Sequence, residues 1–289
     1  MKILIIGKGY IGNRCAKAWP GSVLAEKHIN SKKDVLDLID EHQPDAILNA
    51  AGVRGKPNVD WCEDHQMETI VGNTKLPIIL AEACQKRGVY LLHIGSGCIF
   101  YGDSPHKDKK WRESDFGNPK AVYSKAKWAA DLVLSTMENI GIARIRMPID
   151  YIPSANNMID KLASFPKVID VENSVTIIDD MVDVFYKLME KKASGIFHVT
   201  NPGTLKHREI IELYKEFVDP SHSNKWINNE ELVEQGLAKK GRSNNFLNSE
   251  NLEKIGIEMR EVHEAMRDVM EKYARMKKQG KNSDEVLSC

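Results

Sequence analysis

The sequence lacks a long hydrophobic run and an excess of charge of one sign. None of its apolar stretches approaches the roughly 20 residues that span a bilayer, and the first, at residues 3–6, is shorter than the core of a signal peptide. Lysine plus arginine and aspartate plus glutamate both total 41, so the formal net charge is zero and does not draw the chain to nucleic acid or an anionic membrane. We therefore expect a soluble cytoplasmic protein with neither membrane nor nucleic acid as a partner.

Paired cysteines are also missing. The five cysteines are odd in number and form no Cys-x-x-Cys pair, so neither a disulfide framework nor a zinc knuckle is indicated, and we expect no metal site. With 42% hydrophobic and 28% charged residues in 289, the chain is long enough to bury the core of one large domain or two modest ones.

What the sequence does contain is an alternation of strand and helix patterns. Strands are predicted at residues 2–6, 22–26, 45–49, 89–94 and 142–147, and helices at 10–19, 31–42, up to 88 and 120–139. Such alternation predicts an α/β protein with a Rossmann-type, doubly wound parallel sheet. Later segments are shorter, with strands at 175–178 and 195–199 and helices at 179–191, 206–218 and 251–278.

These patterns predict three regions. We expect an NAD(P)-binding Rossmann domain at residues 1–150 and a smaller mixed α/β substrate-binding lobe at 151–280, some of whose segments return to the sheet. The polar residues 281–289 have little to bury and are predicted to form a flexible tail.

A glycine motif, Gly7-Lys8-Gly9-Tyr10-Ile11-Gly12, joins the first predicted strand to the first helix. Gly7 permits a tight turn, Gly9 lets the backbone approach a pyrophosphate, and Gly12 allows the helix to pack closely on the strand. The helix N-terminus then attracts the phosphates. The position of the motif favours a dinucleotide site, including Tyr10 and Ile11, over a glycine turn with a structural role alone.

The residues after the second strand leave the choice of dinucleotide open. Glu26 would accept hydrogen bonds from an adenosine ribose and repel a 2′-phosphate, which favours NADH. Lys27 and His28 could instead bind a 2′-phosphate, and a surface Glu-Lys pair without a ligand role is equally compatible with the sequence. We therefore expect NADPH or NADH as the cofactor.

A second motif places a phenol and an amine on one helix face. Tyr123 and Lys127 are four residues apart, so the ammonium could lower the pKa of the phenol and help Tyr123 deliver a proton to a carbonyl. Ser96, just beyond the strand at 89–94, could hydrogen-bond the same carbonyl. The carboxyl edge of a doubly wound sheet is where ligands bind.

Together with Asn49-Ala50-Ala51-Gly52 and Asn73, these motifs resemble the extended short-chain dehydrogenase/reductase family. The resemblance covers nearly the whole chain. It implies that Ser96, Tyr123 and Lys127 form the catalytic triad, with Asn73 supporting it. The cofactor contacts that it implies, beyond the glycine motif, are Lys27, Asn49, Ala50, Ala51, Gly52, Asn73, Tyr123, Lys127 and Met147.

A narrower resemblance rests on five segments. They are residues 49–63 (NAAGVRGKPNVDWCE), 97–100 (GCIF), 146–149 (RMPI), 200–203 (TNPG) and 242–245 (RSNN). They are similar to the bifunctional nucleotide-4-keto-6-deoxyglucose 3,5-epimerase/4-reductases of UDP-rhamnose synthesis. This implies substrate contacts at Val53, Arg54, Ser96, Cys98, Asn157, Thr176, Arg242, Asn244 and Asn245.

The resemblance further implies that Cys98 and Lys161 are the acid/base pair of the epimerisation. Inversion beside a C4 ketone requires a proton to leave C3 and C5 and another to return from the opposite face. Cys98 lies two residues beyond Ser96, where cations could lower its pKa below the free value of about 8.5. The alternative is that Cys98, followed by Ile99 and Phe100, is simply buried, as most free cysteines are. Cys15, Cys62 and Cys84 are expected to be packing residues.

Alternatives also remain for the polar residues of the predicted lobe. Arg242 could clamp a nucleotide diphosphate beside Gly241, or it could be a solvated loop residue. Asn157 and Thr176 could face the sugar or nucleotide, or they could cap helices.

The resemblance thus implies a bifunctional enzyme that converts UDP-4-keto-6-deoxy-D-glucose to UDP-L-rhamnose with NADPH or NADH. Its substrate would come from a separate 4,6-dehydratase. A dTDP-linked substrate reduced by a monofunctional dTDP-4-dehydrorhamnose reductase is the first alternative, and a non-catalytic, dinucleotide-binding regulatory subunit is the second. Analogy with the fold further suggests a homodimer.

Overall fold

The computed structural model describes residues 1–56 and 58–287, and it divides into two compact units that alternate along the chain. The first unit comprises residues 1–99, 113–144 and 182–198, and the second comprises 100–112, 145–181 and 199 onward. The sequence placed one boundary near residue 150 and allowed later segments to return to the sheet, and those domain limits stay a prediction.

The strands and helices are numbered in chain order. The strands are β1 (Ile3–Ile6), β2 (Val23–Leu24), β3 (Ala46–Asn49), β4 (Tyr90–Ser96), β5 (Lys110–Trp111), β6 (Ile140–Ile145), β7 (Pro148–Ile149), β8 (Lys167–Ile169), β9 (Glu172–Asn173), β10 (Thr176–Ile177), β11 (Gly195–Val199), β12 (Leu205–Lys206), β13 (Lys225–Ile227) and β14 (Phe246–Leu247). The α-helices are α1 (Tyr10–Ala18), α2 (Lys32–His42), α3 (Gln66–Ile70), α4 (Leu76–Arg87), α5 (Val122–Leu134), α6 (Met158–Ser164), α7 (Ile178–Glu190), α8 (His207–Phe217), α9 (Asn229–Glu234), α10 (Glu250–Lys254), α11 (Val262–Lys278) and α12 (Ser283–Leu287).

A six-stranded sheet forms the centre of the first unit, in the order β11-β6-β4-β3-β1-β2. The pairs β1/β2, β1/β3 and β3/β4 are parallel. Every residue of β1, β3 and β4 is buried, as expected of parallel strands whose two faces are both covered by helices. The predicted Rossmann-type doubly wound sheet is confirmed.

The helices of the first unit pack on this sheet through apolar residues such as Leu38, Leu80 and Leu134. Helix α2 begins at a capping box in which Ser31 and Asp34 satisfy each other's backbone N–H groups. Between α3 and α4 the chain forms one π-helical turn, Val71–Lys75, which contains Asn73. Such turns are rare and often lie at functional sites.

The second unit consists of short two-stranded pairings and helices. Its strand pairs are β10/β7, β12/β9, β13/β8 and β14/β5. A separate apolar core includes Ile149, Ile177, Ile210 and Met266. Within the part of the chain that the structure describes, no helix is both long and apolar enough to cross a bilayer.

Two helix predictions were too long. The helix predicted at 251–278 is interrupted between α10 and α11, because Gly256 adopts φ +70° and the flanking Leu252 and Ile257 are both buried across the turn. The helix predicted at 120–139 ends at Leu134. At the other end, α12 occupies part of the segment predicted as a flexible tail, and that prediction stays untested because Ser288 and Cys289 lie outside the described residues.

Candidate active site

The glycine motif forms a tight turn between β1 and α1. Gly7 has φ +110°, and a Cβ atom there would lie 2.5 Å from the backbone nitrogen of Ala51. A Cβ atom on Gly12 would lie 1.9 Å from the carbonyl oxygen of Gly7. A Cβ atom on Gly9, in contrast, would meet no protein atom within 4 Å. The turn is therefore tightly packed at Gly7 and Gly12 and open at Gly9, at the N-terminal end of α1. An open helix N-terminus of this kind suits a dinucleotide pyrophosphate.

The residues that were expected to choose between NADH and NADPH form exposed ion pairs. Lys8 pairs with Glu26, and Lys27 pairs with Asp34 at 2.9 Å. The hydrogen bond that Lys27 donates to Asp34 raises the pKa of Lys27. Such surface pairs are worth little in water, so a phosphate group could compete for either cation. The cofactor role of Lys27 stays a prediction.

Two buried amides shape the loop after β3. The Asn49 side chain donates from Nδ2 to His93 Nδ1 at 2.9 Å and accepts from the backbone N–H of Ala51 at 3.2 Å. The Asn73 side chain accepts from the backbone N–H of Val53 at 3.1 Å and donates to its carbonyl oxygen at 2.6 Å. Asn73 thereby hydrogen-bonds both backbone polar groups of Val53, and Asn49 hydrogen-bonds the backbone N–H of Ala51. These bonds fix the backbone that packs against Gly7.

Lys127 lies next to the loop that follows β3. Its ammonium donates to the carbonyl oxygen of Ile94 at 2.9 Å, and Nζ is 3.6 Å from the position that a Cβ atom would take on Gly52. The side chain is buried, and burial lowers the pKa of Lys127 to about 8 despite the opposing charge of Asp131. Any larger residue at Gly52 would meet Asn73 and this ammonium.

Tyr123 stands on α5 among groups from several other segments. It is partly exposed and shares a side-chain hydrogen bond with Ser96. Burial and a charge on Cys98 raise the pKa of the phenol, whereas Ser96 and Arg54 lower it. The sequence assigned the lowering to Lys127, whose ammonium is directed to Ile94 instead. The ordinary pKa of a tyrosine is about 10 and the net shift in Tyr123 is upward, so Tyr123 is protonated at neutral pH and can donate.

Cys98 lies on a short 3-10 turn, Gly97–Ile99, that follows β4 directly. Its backbone N–H donates to Ser96 Oγ at 3.2 Å. Of the four cysteines within the described residues, Cys15, Cys62 and Cys84 are buried and Cys98 is partly exposed. The packing role predicted for the first three agrees with their burial. The buried state considered for Cys98 does not occur, and the thiol belongs to the group of residues around Tyr123.

Two residues that sequence reasoning missed place α5. The N-cap residue Ala121 offers no side-chain cap, and Glu63 Oε1 accepts from the backbone N–H of Val122 at 2.9 Å. Thr74 Oγ1 donates to the carbonyl oxygen of Ala126 at 2.7 Å. Both contacts span more than 50 residues of sequence, so no local pattern reveals them. The only available signal was that Glu63 ends the first segment of the narrower resemblance.

In the second unit, Asn157 and Thr176 use their polar atoms internally. Asn157 caps α6 and donates from Nδ2 to the carbonyl oxygens of Asp150 at 2.6 Å and Ile152 at 3.0 Å. Thr176 Oγ1 donates to the carbonyl oxygen of Val199 at 2.6 Å and accepts from the backbone N–H of Arg146 at 2.9 Å. Capping, the alternative left open by the sequence, is what Asn157 does. Contacts of either residue with substrate stay predictions.

A second polar group of this unit lies near the predicted nucleotide contacts. Arg146 donates from Nη2 to Asn173 Oδ1 at 2.6 Å and also to the carbonyl oxygen of Ser243. Asn173 donates to Asn244 Oδ1 at 3.1 Å, and Asn245 donates to the carbonyl oxygen of Phe100 at 2.8 Å. Arg146 and Asn173 were not predicted as site residues. They hold the segment that carries Asn244 and Asn245.

Lys161, Met147 and Arg242 are the remaining predicted site residues of the second unit. Lys161 is partly buried on α6. Met147 has φ +42°, a conformation that is sparsely populated for a residue with a side chain. The backbone N–H of Arg242 donates to Asn229 Oδ1 at 3.0 Å. The ligand contacts of all three stay predictions.

Comparison with known proteins gives a family match over most of the chain. Residues 1–275 match the model of the RmlD substrate binding domain. A bifunctional dTDP-4-dehydrorhamnose 3,5-epimerase/dTDP-4-dehydrorhamnose reductase from Arabidopsis thaliana is 34% identical over 91% of this chain and 90% of its own length. A trifunctional UDP-glucose 4,6-dehydratase/UDP-4-keto-6-deoxy-D-glucose 3,5-epimerase/UDP-4-keto-L-rhamnose-reductase of the same plant is 31% identical over 92% of this chain, which spans 41% of that protein.

Solved structures give the same picture of the fold. The UDP-rhamnose synthase L780 of Acanthamoeba polyphaga mimivirus superposes with a TM-score of 0.88 at 30% identity, covering 94% of this chain and 99% of that one. A dTDP-4-dehydrorhamnose reductase from Bacillus anthracis, solved in complex with NADP, superposes with a TM-score of 0.76 at 18% identity, covering 93% and 96%. The second likeness concerns the fold alone.

Proposed function

Because the chain belongs to the RmlD substrate binding domain family, we propose that it is an NADPH-dependent nucleotide-sugar reductase that also epimerises its substrate. It converts UDP-4-keto-6-deoxy-D-glucose to UDP-L-rhamnose. One observation carries the proposal: Ser96, Tyr123 and the partly exposed Cys98 lie together at the end of β4, with Lys127 one helical turn beyond Tyr123. A 4-ketoreductase needs Ser96, Tyr123 and Lys127. An epimerase needs a further acid/base group such as Cys98.

The cofactor residues follow from the turn and from the loop after β3. Gly7, Gly9 and Gly12 would hold the pyrophosphate at the N-terminus of α1, and Lys127 would hold the nicotinamide ribose. NADPH supplies the hydride that C4 of the sugar receives. We propose NADPH rather than NADH; a protein of the same fold, the Bacillus anthracis dTDP-4-dehydrorhamnose reductase, was solved in complex with NADP.

In the reduction, Tyr123 donates its phenolic proton to the oxygen at C4. The phenol carries this proton at neutral pH, because its ordinary pKa of about 10 is shifted upward, and the oxygen must be protonated as C4 is reduced. The Ser96 hydroxyl donates a hydrogen bond to the same oxygen and orients the carbonyl. Water then restores the proton to Tyr123.

In the epimerisation, the Cys98 thiolate removes a proton from the carbon beside the ketone, and the electron pair of the C–H bond forms an enolate. Return of a proton to the opposite face inverts the centre, and repetition at the other neighbour of C4 inverts the second. The two catalytic relatives that support this step are the bifunctional Arabidopsis protein and the mimivirus UDP-rhamnose synthase. The assignment of Lys161 as the opposite-face group remains a prediction from the resemblance.

The relatives differ in the nucleotide of their substrates. The mimivirus synthase makes UDP-rhamnose, whereas the bifunctional Arabidopsis protein is described for dTDP-linked sugars. We propose UDP, with a separate 4,6-dehydratase as the source of the keto-sugar, action in the cytoplasm and association as a homodimer. A monofunctional dTDP-4-dehydrorhamnose reductase is the second candidate, favoured by the 27% identity to that enzyme of Aggregatibacter actinomycetemcomitans.

The test is the mass of the product formed from UDP-4-keto-6-deoxyglucose and NADPH in heavy water, after hydroxyl deuterons have been exchanged back in ordinary water. Epimerisation at C3 and C5 leaves two carbon-bound deuterons, whereas the hydride from NADPH adds none. The same reaction with the Cys98→Ala variant and without protein corrects for spontaneous exchange.

Each outcome of this test decides between the candidates. A reduced product with two deuterons supports the bifunctional assignment. A reduced product without deuterium leaves a monofunctional reductase, and a parallel reaction with the dTDP-linked sugar then identifies its substrate. Binding of NADPH without oxidation of it on either sugar would leave a non-catalytic dinucleotide-binding subunit.

A further inference from the structure

Three charged side chains are buried together behind the active-site face of α5, and we call them the buried charge cluster. They are Lys127, Asp131 and Arg144, with exposed fractions of 5%, 0% and 0%. A charged group without water is costly unless an opposite charge or hydrogen bonds replace the lost solvation. The arrangement of the cluster therefore has to balance its own charges.

Asp131 lies between the two cations. Arg144 Nε donates to Asp131 Oδ2 at 2.7 Å. Lys127 and Asp131 are four residues apart on α5, a spacing that brings side chains together on one helix face. The other carboxylate oxygen, Oδ1, is 3.3 Å from the position that a Cβ atom would take on Gly95. Gly95 follows Ile94, whose carbonyl oxygen accepts from the Lys127 ammonium, so the carboxylate and the ammonium lie against adjacent residues of β4.

Asp131 Oδ1 also has no hydrogen-bond partner among the described residues. A carboxylate oxygen that is buried and not hydrogen-bonded retains its negative potential for nearby cations. Burial raises the pKa of Asp131, but the ion pair with Arg144 and the charge of Lys127 oppose this, and we take the paired carboxylate as ionised.

Arg144 is held in turn by residues of three other segments. Its Nη1 lies 3.3 Å from His198 Nε2 and 3.4 Å from the carbonyl oxygen of Glu113. Its guanidinium also stands 5.3 Å from the centre of the Trp128 ring. These contacts hold the guanidinium with Nε directed to Asp131. The backbone N–H of His198 donates to Glu113 Oε1 at 3.3 Å. The two residues that contact Arg144 Nη1 therefore also contact each other.

Other titratable groups face the cluster from the elements packed against it. They are His93 on β4, Glu113 and His198 beside Arg144, Tyr123 one helical turn before Lys127 on α5, and Cys98 beside Tyr123. Burial and the charge of Lys127 hold the pKa of His93 well below its usual range, so His93 is neutral. Asp131 is thus the carboxylate nearest to Lys127 along α5.

We propose that Asp131, oriented by Arg144, is a positioning residue that keeps Lys127 protonated and so sets the alkaline limit of the reductase. This rests on the proposed function, since it concerns the lysine that would hold the nicotinamide ribose. Burial alone disfavours the ammonium, and an opposite charge within a few ångströms favours it. Burial lowers the pKa of Lys127 to about 8 and Asp131 raises it, which is the direction the arrangement requires.

The test measures the titration of Lys127 in the protein without cofactor. Protein labelled with 13C at the lysine ε-carbons is titrated by NMR, and the Lys127 signal is identified by its loss in Lys127→Arg. In Asp131→Asn, the midpoint should fall by about one pH unit or more, because an opposite charge is removed while Arg144 stays. In the double variant Asp131→Asn/Arg144→Gln, it should fall less, because the repelling guanidinium is removed as well.

A matched control and a second variant keep this test decisive. Asp40→Asn removes an exposed carboxylate that pairs with Arg87 at 2.6 Å on another helix of the same unit, and it should leave the Lys127 midpoint unchanged. If Asp131→Asn does not fold, the double variant, which removes the buried guanidinium together with its carboxylate partner, carries the test through its smaller fall in the Lys127 midpoint. An unchanged Lys127 midpoint in the folded variants would overturn the proposal.

Activity gives a second readout of the same proposal. In Asp131→Asn, the alkaline fall of kcat should move to lower pH, with activity recovered on the acid side. A carboxylate with only a structural role would lower kcat equally at every pH, which contradicts the proposal. If the wild-type protein reduces no keto-sugar, the proposed function fails, and the NMR titration still decides the role of Asp131.

Discussion

The two units treat their predicted site residues differently. In the first, Cys98 and Tyr123 are partly exposed and lie beside the buried Ser96. In the second, Asn157 and Thr176 are buried and use their polar atoms in hydrogen bonds to the backbone. The comparison shows that a motif at the edge of the sheet is the better indicator of a candidate active site. A polar residue assigned to the site by resemblance alone can instead have a structural role.

The largest expected effect separates two activities within the first unit. Tyr123→Phe should lower reduction by about 100- to 10,000-fold, because the general acid is lost, while deuterium still enters C3 and C5. Cys98→Ala should abolish deuterium incorporation and spare reduction of an already epimerised substrate. Both are measured by NADPH oxidation and product mass.

Tyr90→Phe is the matched control for the tyrosine variant. Tyr90 donates to the carbonyl oxygen of Ala193 at 2.6 Å in the same unit. Loss of this hydroxyl should therefore lower the free energy of unfolding and leave kcat unchanged. Equal loss of both activities in folded Tyr123→Phe and Cys98→Ala would contradict the division of roles.

The next effect sharpens the contrast between binding and packing inside the glycine turn. Gly12→Ala should destabilise the protein by about 1–3 kcal/mol or more, because its Cβ would overlap the backbone. Gly9→Ala should leave the free energy of unfolding nearly unchanged, since its Cβ meets no protein atom and its φ of −80° is ordinary, yet it should weaken NADPH binding. Urea denaturation and fluorescence titration measure the two quantities. Wild-type NADPH affinity in Gly9→Ala would show that the turn does not hold the pyrophosphate.

In the second unit we expect the reverse pattern, loss of stability without loss of catalysis. Asn157→Ala should lower the free energy of unfolding by about 2–3 kcal/mol, since it removes a helix cap and two further hydrogen bonds. Asn157→Asp retains the capping oxygen and should cost less. A rise in KM for the sugar nucleotide in fully folded Asn157→Asp would break the comparison, because the amide would then also contact substrate.

The smallest expected effect concerns Thr176. Thr176→Val removes the hydroxyl that joins Arg146 and Val199 and should cost about 1–2 kcal/mol, whereas Thr176→Ser keeps both bonds and should be nearly neutral. Thermal denaturation of the two variants provides the comparison. If Thr176→Val is as stable as Thr176→Ser but binds substrate more weakly, Thr176 is a ligand contact as first predicted.

Much of the first unit could be predicted because its signals are local. The buried strands β1, β3 and β4 occur where apolar runs predicted them, and Gly7 and Gly12 crowd the backbone as their motif requires. Helix ends were less accessible to sequence reasoning. Gly256 ends α10 inside a predicted helix because Leu252 and Ile257 both gain by burial when the chain turns there.

The supporting contacts of the site could not be predicted, because they join residues that are distant in sequence. Glu63 reaches Val122 and Thr74 reaches Ala126 across more than 50 positions. The direction of the Lys127 ammonium depends on the Ile94 carbonyl, which no helical spacing specifies.

By itself, the sequence determined the α/β alternation, the glycine turn and the identities of the candidate site residues, since each of these depends on backbone freedom, periodicity or functional group. Only the tertiary structure decided how those groups are charged and held. Burial and neighbours set the protonation of Lys127 and Tyr123, and hydrogen bonds over long sequence separations orient α5 and the loop after β3. The physical reason is that solvation and electrostatic energies depend on which atoms are close in space, and a linear pattern does not contain those distances.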